Sequence, residues 1–310
     1  LGLDSQGTAV VLGLLPIGCQ ALTMTSQTLT ITNGDAAAVI NLVGLALVGL
    51  RFGEHEVIPE TDLGPKVFAG TLLTPWPNRV EGGSYVFQGQ RYQLEVRDGM
   101  GNALHGMVDE NLAEVLDAKT GYAKLQTEVL PTAGYPWQLR VEAEFELTSS
   151  TLTISYKVTN LSELAAPVGI GSHPYFPYTD GTTIEINAKI AAIHGENMIP
   201  IGKHPAAELG LGPGRKALVS NLKLDTQFSE LADPVVSITI EQFGYEVWQQ
   251  DANWLMVYNT QVFPWATGPG NAIAIEPQTC PADAFNTGDD LRVIASGEST
   301  SMRWGVRLRG

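Results

Sequence analysis

The chain has 310 residues with 18 Lys plus Arg against 33 Asp plus Glu, a formal charge of −15, and no window holds the basic run that a nucleic-acid backbone or an anionic membrane surface requires. A hydrophobic share of 44% with 16% charged residues excludes an intrinsically disordered chain. Cys19 and Cys280 show no CxxC or zinc-type spacing, which excludes a disulfide framework and a structural metal and fits a reducing, cytoplasmic setting.

Residues 9–24 are apolar but lack the basic stretch that opens a secretory signal, and residues 1–25 receive no role. The segment Thr28–Thr32 alternates as a strand does. Ala36–Leu50, broken by Asn41, Gly44 and Gly49, falls short of the roughly 18–20 residues of a membrane span and predicts buried strand. Leu139–Leu147 alternates apolar with charged residues, so a period of two places Leu139, Val141, Phe145 and Leu147 on one dry face. Thr148-Ser-Ser150 is turn-prone and Thr151–Thr159 alternates again, which predicts a hairpin over 139–159.

Similar patterns recur over 183–193, 235–241, 254–259, 272–276 and 302–308, punctuated by 33 Gly and 18 Pro. No stretch sustains the helical apolar period, so helices should be few and short. Strand following strand predicts an all-β fold of antiparallel sheets packed as a sandwich or barrel, one domain over 1–310 with no linker and no repeat. The glycines at 210, 212 and 214 form a surface loop, since a phosphate-cradling loop needs a strand before it and a helix after it.

Five segments join reactive polar groups to rigid or apolar neighbours: Pro75–Val80, Asn102–Gly106, Gly171–Pro177, Leu224–Phe228 and Ile275–Thr279. Glu276 ends an apolar strand and precedes Pro277, which restricts it to extended backbone and aims its carboxylate. Pro174 does the same for His173, which Tyr175, Phe176 and Tyr178 surround. His105 precedes Gly106, where a ligand or backbone can approach closely. Arg79 offers a planar fork of donors and Asn78 a donor and an acceptor. Each of these residues also has an ordinary structural reading as a surface group or a locally satisfied core group. His55, His194 and His204 read as surface residues. His105, His173 and Glu276 could in principle form a two-His, one-carboxylate zinc site, but no HExxH or similar pair supports it. A Ser-His-Asp triad fails because Ser172 adjoins His173 in the chain and GxSxG is absent.

In this order the five segments resemble the aldose 1-epimerase family, the galactose mutarotase-like proteins. The resemblance is carried by Asn78-Arg79 followed by Gly83–Leu94, by Asn-Ala-Leu-His-Gly, by His-Pro-Tyr-Phe, by Leu-Asp and by Glu-Pro-Gln-Thr, over about residues 71 to 286, with a closing strand containing Met302, Trp304, Val306 and Leu308. Many relatives have Gly-Arg-x-x-Asn-Arg where this chain has Pro-Trp-Pro-Asn-Arg, so only the Asn-Arg half carries over. The resemblance implies a large antiparallel β-sandwich of the supersandwich type and an isomerase needing neither cofactor nor metal. It implies Glu276 as the base that takes the proton from the anomeric hydroxyl O1 and His173 as the acid that protonates the ring oxygen O5. It further implies His105 as a second histidine near the ring oxygen, Arg79 and Asp225 as residues that hold sugar hydroxyls, and Asn78 as their helper.

The expected partner is a small aldose, with no nucleic acid or membrane, and the chain is expected to be a monomer or homodimer. One alternative is a hexose-6-phosphate epimerase, which would need a cationic clamp drawn from Arg51, Arg79, Arg91 and Arg97. Another is a sugar-binding protein without catalysis, though binding alone does not require both His173 and Glu276. A glycosidase would need two carboxylates, and only Glu276 reads as presented. Trp76, Trp137, Trp248 and Trp265 are candidate stacking faces for a pyranose.

Overall fold

The computed structural model describes residues 27–241 and 243–309, with the backbone alone at 2–3, 9–10, 22–24 and 65. Cys19 and the side chains of the apolar stretch 9–24 lie outside the described residues. Strands dominate, and among the described residues the single α-helix is the one-turn Ala284–Thr287. No described helix is long and apolar enough to cross a membrane.

The predicted hairpin forms as Leu139–Leu147 paired with Thr151–Asn160, and the alternation reads directly onto burial. Leu139, Val141, Ala143 and Phe145 are wholly buried, while the intervening Arg140, Glu142 and Glu144 stay partly exposed beside Lys124 and Lys157. The pair lies in an antiparallel sheet whose strands run side by side in the order Glu114–Lys119, Tyr122–Val129, Leu139–Leu147, Thr151–Asn160, Ser299–Leu308, Phe243–Gln250, Asp225–Ile240, Trp254–Trp265, Gly268–Gln278, Gly171–Ser172 and Leu72–Leu73. A smaller antiparallel sheet formed by Leu22–Met24, Thr28–Asn33, Ala36–Asn41, Ala46–Phe52 and His55–Ile58 packs against Tyr122–Val129 and Leu139–Leu147. The result is a large antiparallel β-sandwich.

The run Ala36–Leu50 is buried as predicted but is two strands, because Gly44 at φ 76 and Leu45 at φ 52 turn the chain between Asn41 and Ala46. The glycines at 210, 212 and 214 lie in a loop after a short 3₁₀ turn. The core runs through Leu125, Phe145, Ile154, Trp304 and Val306, each wholly buried, and burying one such side chain contributes roughly 1.5–3 kcal/mol. Phe145→Ala should therefore lower the free energy of unfolding by about 3–5 kcal/mol, measured by urea denaturation with an unchanged m-value.

Candidate active site

Strand register assembles one half of the site. Gly268–Gln278 is the central element, with Met256 opposite Glu276, Tyr258 opposite Ala274 and Trp254 opposite Gln278. One strand further out, Asp225 faces Tyr258 and Gln227 faces Met256. On the other flank Gly171 pairs with Gln278 and Tyr175 with Ala274, which leaves His173 opposite Glu276 in the same register. Side chains two apart share a face of a sheet. Asp225, Gln227, Glu276 and Gln278 therefore rise from one surface.

The sequence reading ends the strand at Glu276, whereas pairing continues two residues further to Gln278. Pro277 lacks an N–H, but Gln278 regains partners on both sides in Trp254 and Gly171. The His173-Pro174 step falls between Gly171–Ser172 and Tyr175–Pro177, and the chain is held there by His173 N–H to Thr71 O (3.1 Å) and Gly70 N–H to His173 O (2.8 Å).

The other half comes from a separate two-stranded ladder in which Leu104 faces Arg79 and Ala103 faces Val80. Asn78 and His105 flank it at φ 60 and 61, a left-handed conformation that Asn and His tolerate better than most residues. They bind each other twice: His105 N–H donates to Asn78 O (2.9 Å), and Asn78 N–H donates to His105 Nδ1 (3.2 Å). Because Nδ1 accepts a proton donor, neutral His105 carries its hydrogen on Nε2. Gly106, at φ 79, lies against Thr74, where a Cβ would meet the Thr74 carbonyl oxygen at 2.2 Å. That close approach fixes the height of His105.

The imidazole of His173 brings Nε2 within 3.3 Å of Glu276 Oε1, with both side chains buried. Tyr175 stacks on the His173 ring at 4.9 Å between centroids, and His105 meets it edge-on at 5.1 Å. Phe68 covers the other side of His105 at 4.7 Å. Gln278 Nε2 donates to the second carboxylate oxygen of Glu276 at 3.1 Å. Arg79 is held by Asp98, whose Oδ2 accepts from its Nε at 3.0 Å, while Asn78 Oδ1 accepts from its backbone N–H at 3.0 Å.

Burial, not pairing, dominates the electrostatics. It pushes His173 down to about 4 and, together with the charge of His173, holds His105 well below the usual imidazole range. It pushes Glu276 well above the ordinary carboxylate value, with Asp225 adding to the rise and Gln278 opposing it. Asp225 is raised by burial as well. The Arg79 guanidinium lowers His105, His194, Asp225 and Glu276 alike, so its charge reaches every one of these groups.

All six residues named from the sequence, Asn78, Arg79, His105, His173, Asp225 and Glu276, thus gather in one place. Two expectations need correction. His194 is not a plain surface residue but half-buried within the field of Arg79. Asp225 supplies a second carboxylate close enough to raise Glu276, so Glu276 is not the sole acid presented. His55 is partly covered by stacking on Phe243, and His204 lies 3.7 Å from Glu208. Of the four tryptophans, Trp76 and Trp137 are core, and Trp248 packs over Gly305. Trp265 comes near the site through Phe263, which packs on Tyr175.

Sequence reasoning missed Asp98, and it included Asn102, Gln227 and Gln278 in the five segments without giving them a role. Asp98 could have been found from the Asp98-Gly-Met-Gly-Asn102 turn, in which its Oδ1 accepts from the N–H groups of Met100 and Asn102. The two glutamines could have been found by extending each strand's alternation past Asp225 and Glu276. Ser172 Oγ faces Tyr156 OH at 3.3 Å, which agrees with discarding a Ser-His pair.

Ligand atoms of His105, His173 and Glu276 lie within 4.8 Å of one another, as a metal site would require. The donor chemistry does not fit. A metal at His105 Nε2 would force the hydrogen onto Nδ1, directly against the Asn78 N–H.

The aldose 1-epimerase family model matches residues 27–307, and the chain belongs to that family. It is 30% identical to the Escherichia coli K12 protein YihR over 300 residues, covering 93% of this chain and 96% of that protein. Galactose mutarotase of Sus scrofa is 26% identical over 150 residues, 44% of this chain and 42% of that one. Among solved structures, the GalM/aldose epimerase homologue from C. elegans superposes with a TM-score of 0.80 at 15% identity, covering 93% of this chain and 99% of that chain. Galactose 1-epimerase from Lactobacillus acidophilus gives a TM-score of 0.78 at 18% identity, covering 91% and 94%.

A raised carboxyl is also a statement about stability. Native Glu276 holds a proton that the unfolded chain releases above its ordinary value of 4.5, so the group's contribution is full below 4.5 and is lost as pH rises through the native value. Glu276→Gln has no such proton to lose. Its melting temperature relative to wild type should climb as pH increases from 4.5 toward 9, and a difference independent of pH would refute the raised carboxyl.

Proposed function

We propose that this chain is an aldose 1-epimerase that interconverts the α and β anomers of free hexoses. Glu276 takes the proton of O1 while His173 delivers one to O5; the opened aldehyde rotates about C1–C2 and recloses by the reverse transfers. The reading rests on one observation: a buried imidazole and a buried carboxylate in contact at 3.3 Å, within the electrostatic reach of Arg79 and Asp225.

Burial favours this chemistry. It makes the carboxylate a stronger base and the imidazolium a stronger acid. Burial leaves the free site mostly as the neutral pair; the reactive form is its ionised minority, Glu276 carboxylate with His173 imidazolium, and ring opening returns that form to the neutral pair a water-poor site prefers. Reclosure restores the charges, so protons balance over the cycle. His105 offers its Nε2–H as a donor near the ring oxygen, and Arg79 and Asp225 hold hydroxyls with Asn78 beside them.

The four arginines that could have clamped a phosphate are each engaged by other groups, although Arg79 and Arg97 both reach His105 electrostatically. Arg97 forms a two-pronged pair with Asp109 (2.6 and 3.0 Å), and Arg79 is tied to Asp98. Arg51 donates to the carbonyls of Asp35 and Gly53, and Arg91 to Ser84. With Asp225 and Glu276 both facing the ligand, these pairings favour a neutral sugar over a sugar phosphate.

Polarimetry of freshly dissolved α-D-glucose and α-D-galactose tests the proposal. Wild type should speed equilibration, and Glu276→Gln and His173→Asn should each lose about 10²–10⁴-fold in kcat while remaining folded. Glucose 6-phosphate should turn over more slowly than glucose. Full activity in Glu276→Gln would refute the base, and a faster rate with the phosphate ester would refute the substrate class.

A further inference from the structure

Two side-chain amides stand behind Glu276, and both are wholly buried. Gln278 follows it by two residues on the same strand face, and Gln227 lies across Met256 on the next strand but one. The Ala282 backbone N–H donates to Gln227 Oε1 at 3.1 Å, Gln227 Nε2 donates to Gln278 Oε1 at 3.0 Å, and Gln278 Nε2 donates to Glu276 Oε2 at 3.1 Å.

The direction of this chain is forced. A peptide N–H can only donate, so Gln227 must turn its oxygen to Ala282 and its NH₂ to Gln278. Gln278 must then turn its oxygen to Gln227 and its NH₂ to the carboxylate. One backbone N–H thereby orients two amides and brings a donor to Oε2, leaving Oε1 to face His173 at 3.3 Å. We infer that Gln227 and Gln278 are positioning residues for the reaction, a one-way amide relay that commits Oε2 to a fixed donor and reserves Oε1 for proton exchange. A donor at Oε2 also stabilises the ionised form, which counteracts burial and keeps the carboxylate available as a base.

If the glutamines only filled space, replacing them with methionine, which has a similar length, would leave the ionisation of Glu276 unchanged. The relay requires otherwise. Removing the donor with Gln278→Met should move the Glu276 titration midpoint to higher pH by about one unit, the scale of one hydrogen bond to a charged group. Gln227→Met should move it in the same direction by less. Since Gln227 acts only through Gln278, the double variant should match Gln278→Met alone.

The midpoint is read by ¹³C NMR of carboxyl-labelled glutamate, with the Glu276 resonance identified by its loss in Glu276→Gln and folding verified by thermal melts. Should Gln278→Met not fold, Gln278→Leu and Gln227→Met carry the test, since they remove the same donor or its anchor without adding a charge. In the polarimetric assay Gln278→Met should lose about tenfold in kcat with little change in KM. The catalytic role rests on the proposed epimerase activity, but the titration is measured without sugar. An inactive wild type would therefore refute the activity and leave the relay to be judged by NMR. An unmoved midpoint in Gln278→Met, or additive shifts in the double variant, would overturn the relay.

Discussion

The site depends on a single contact, His173 Nε2 against Glu276 Oε1, made where water is scarce. In water both groups are ions between their ordinary values of 4.5 and 6.5. Here burial penalises both charges, and the pair gains stability by becoming neutral. The same penalty gives the carboxylate and the imidazole opposite tendencies suited to opposite jobs. It also fits the polar groups that touch the pair directly and do not ionise readily: the Tyr175 ring on His173 and the Gln278 amide on Glu276.

Two structural units meet at this contact. The large sheet delivers Asp225 and Glu276 through register, and the His173 segment through the same register with Gly70 and Thr71 pinning its backbone where the strand is interrupted. The short ladder delivers Asn78, Arg79 and His105, and it is secured by a second tier. Asp98 grips Arg79 and is itself held by Asn102, whose side chain also reaches the carbonyl of Asn197 at 3.0 Å. Asp283 closes the ladder from the other end, donating its N–H to Arg79 O and accepting from Glu81 N–H. Against the upward pull of burial, the donors of Asn102, Arg79 and Met100 hold Asp98 below the usual carboxylate range, so it stays charged beside the guanidinium.

Much of this was legible in the chain. Alternation in Leu139–Leu147 survives intact because each residue's environment is set by the sheet, and a local period suffices to report it. His173 and Glu276 could be read because proline follows each of them and constrains its backbone. Alternation could place Gln227 and Gln278 on the site face but not assign their role, since a glutamine's meaning lies in which end of its amide is satisfied, and that is decided by Ala282, 55 residues away from Gln227. The standing of the arginines was hidden for the same reason. Arg97 looks as free as Arg79 in sequence, yet its partner Asp109 arrives from a neighbouring loop.

The division between the strand-borne chemistry and the loop-borne rim has a bearing on how such a protein can be reshaped. Glu276 and His173 cannot shift without dragging the ladders on either side, whereas the turn around Asn197 and the Asp98–Asn102 loop bear on the site through Asn102 and Arg79. For the proposed activity, a library aimed at other sugars should leave the strands, Asp98 and Asn102 untouched and vary the exposed positions beside them, such as Met100, so that the tier holding Arg79 survives.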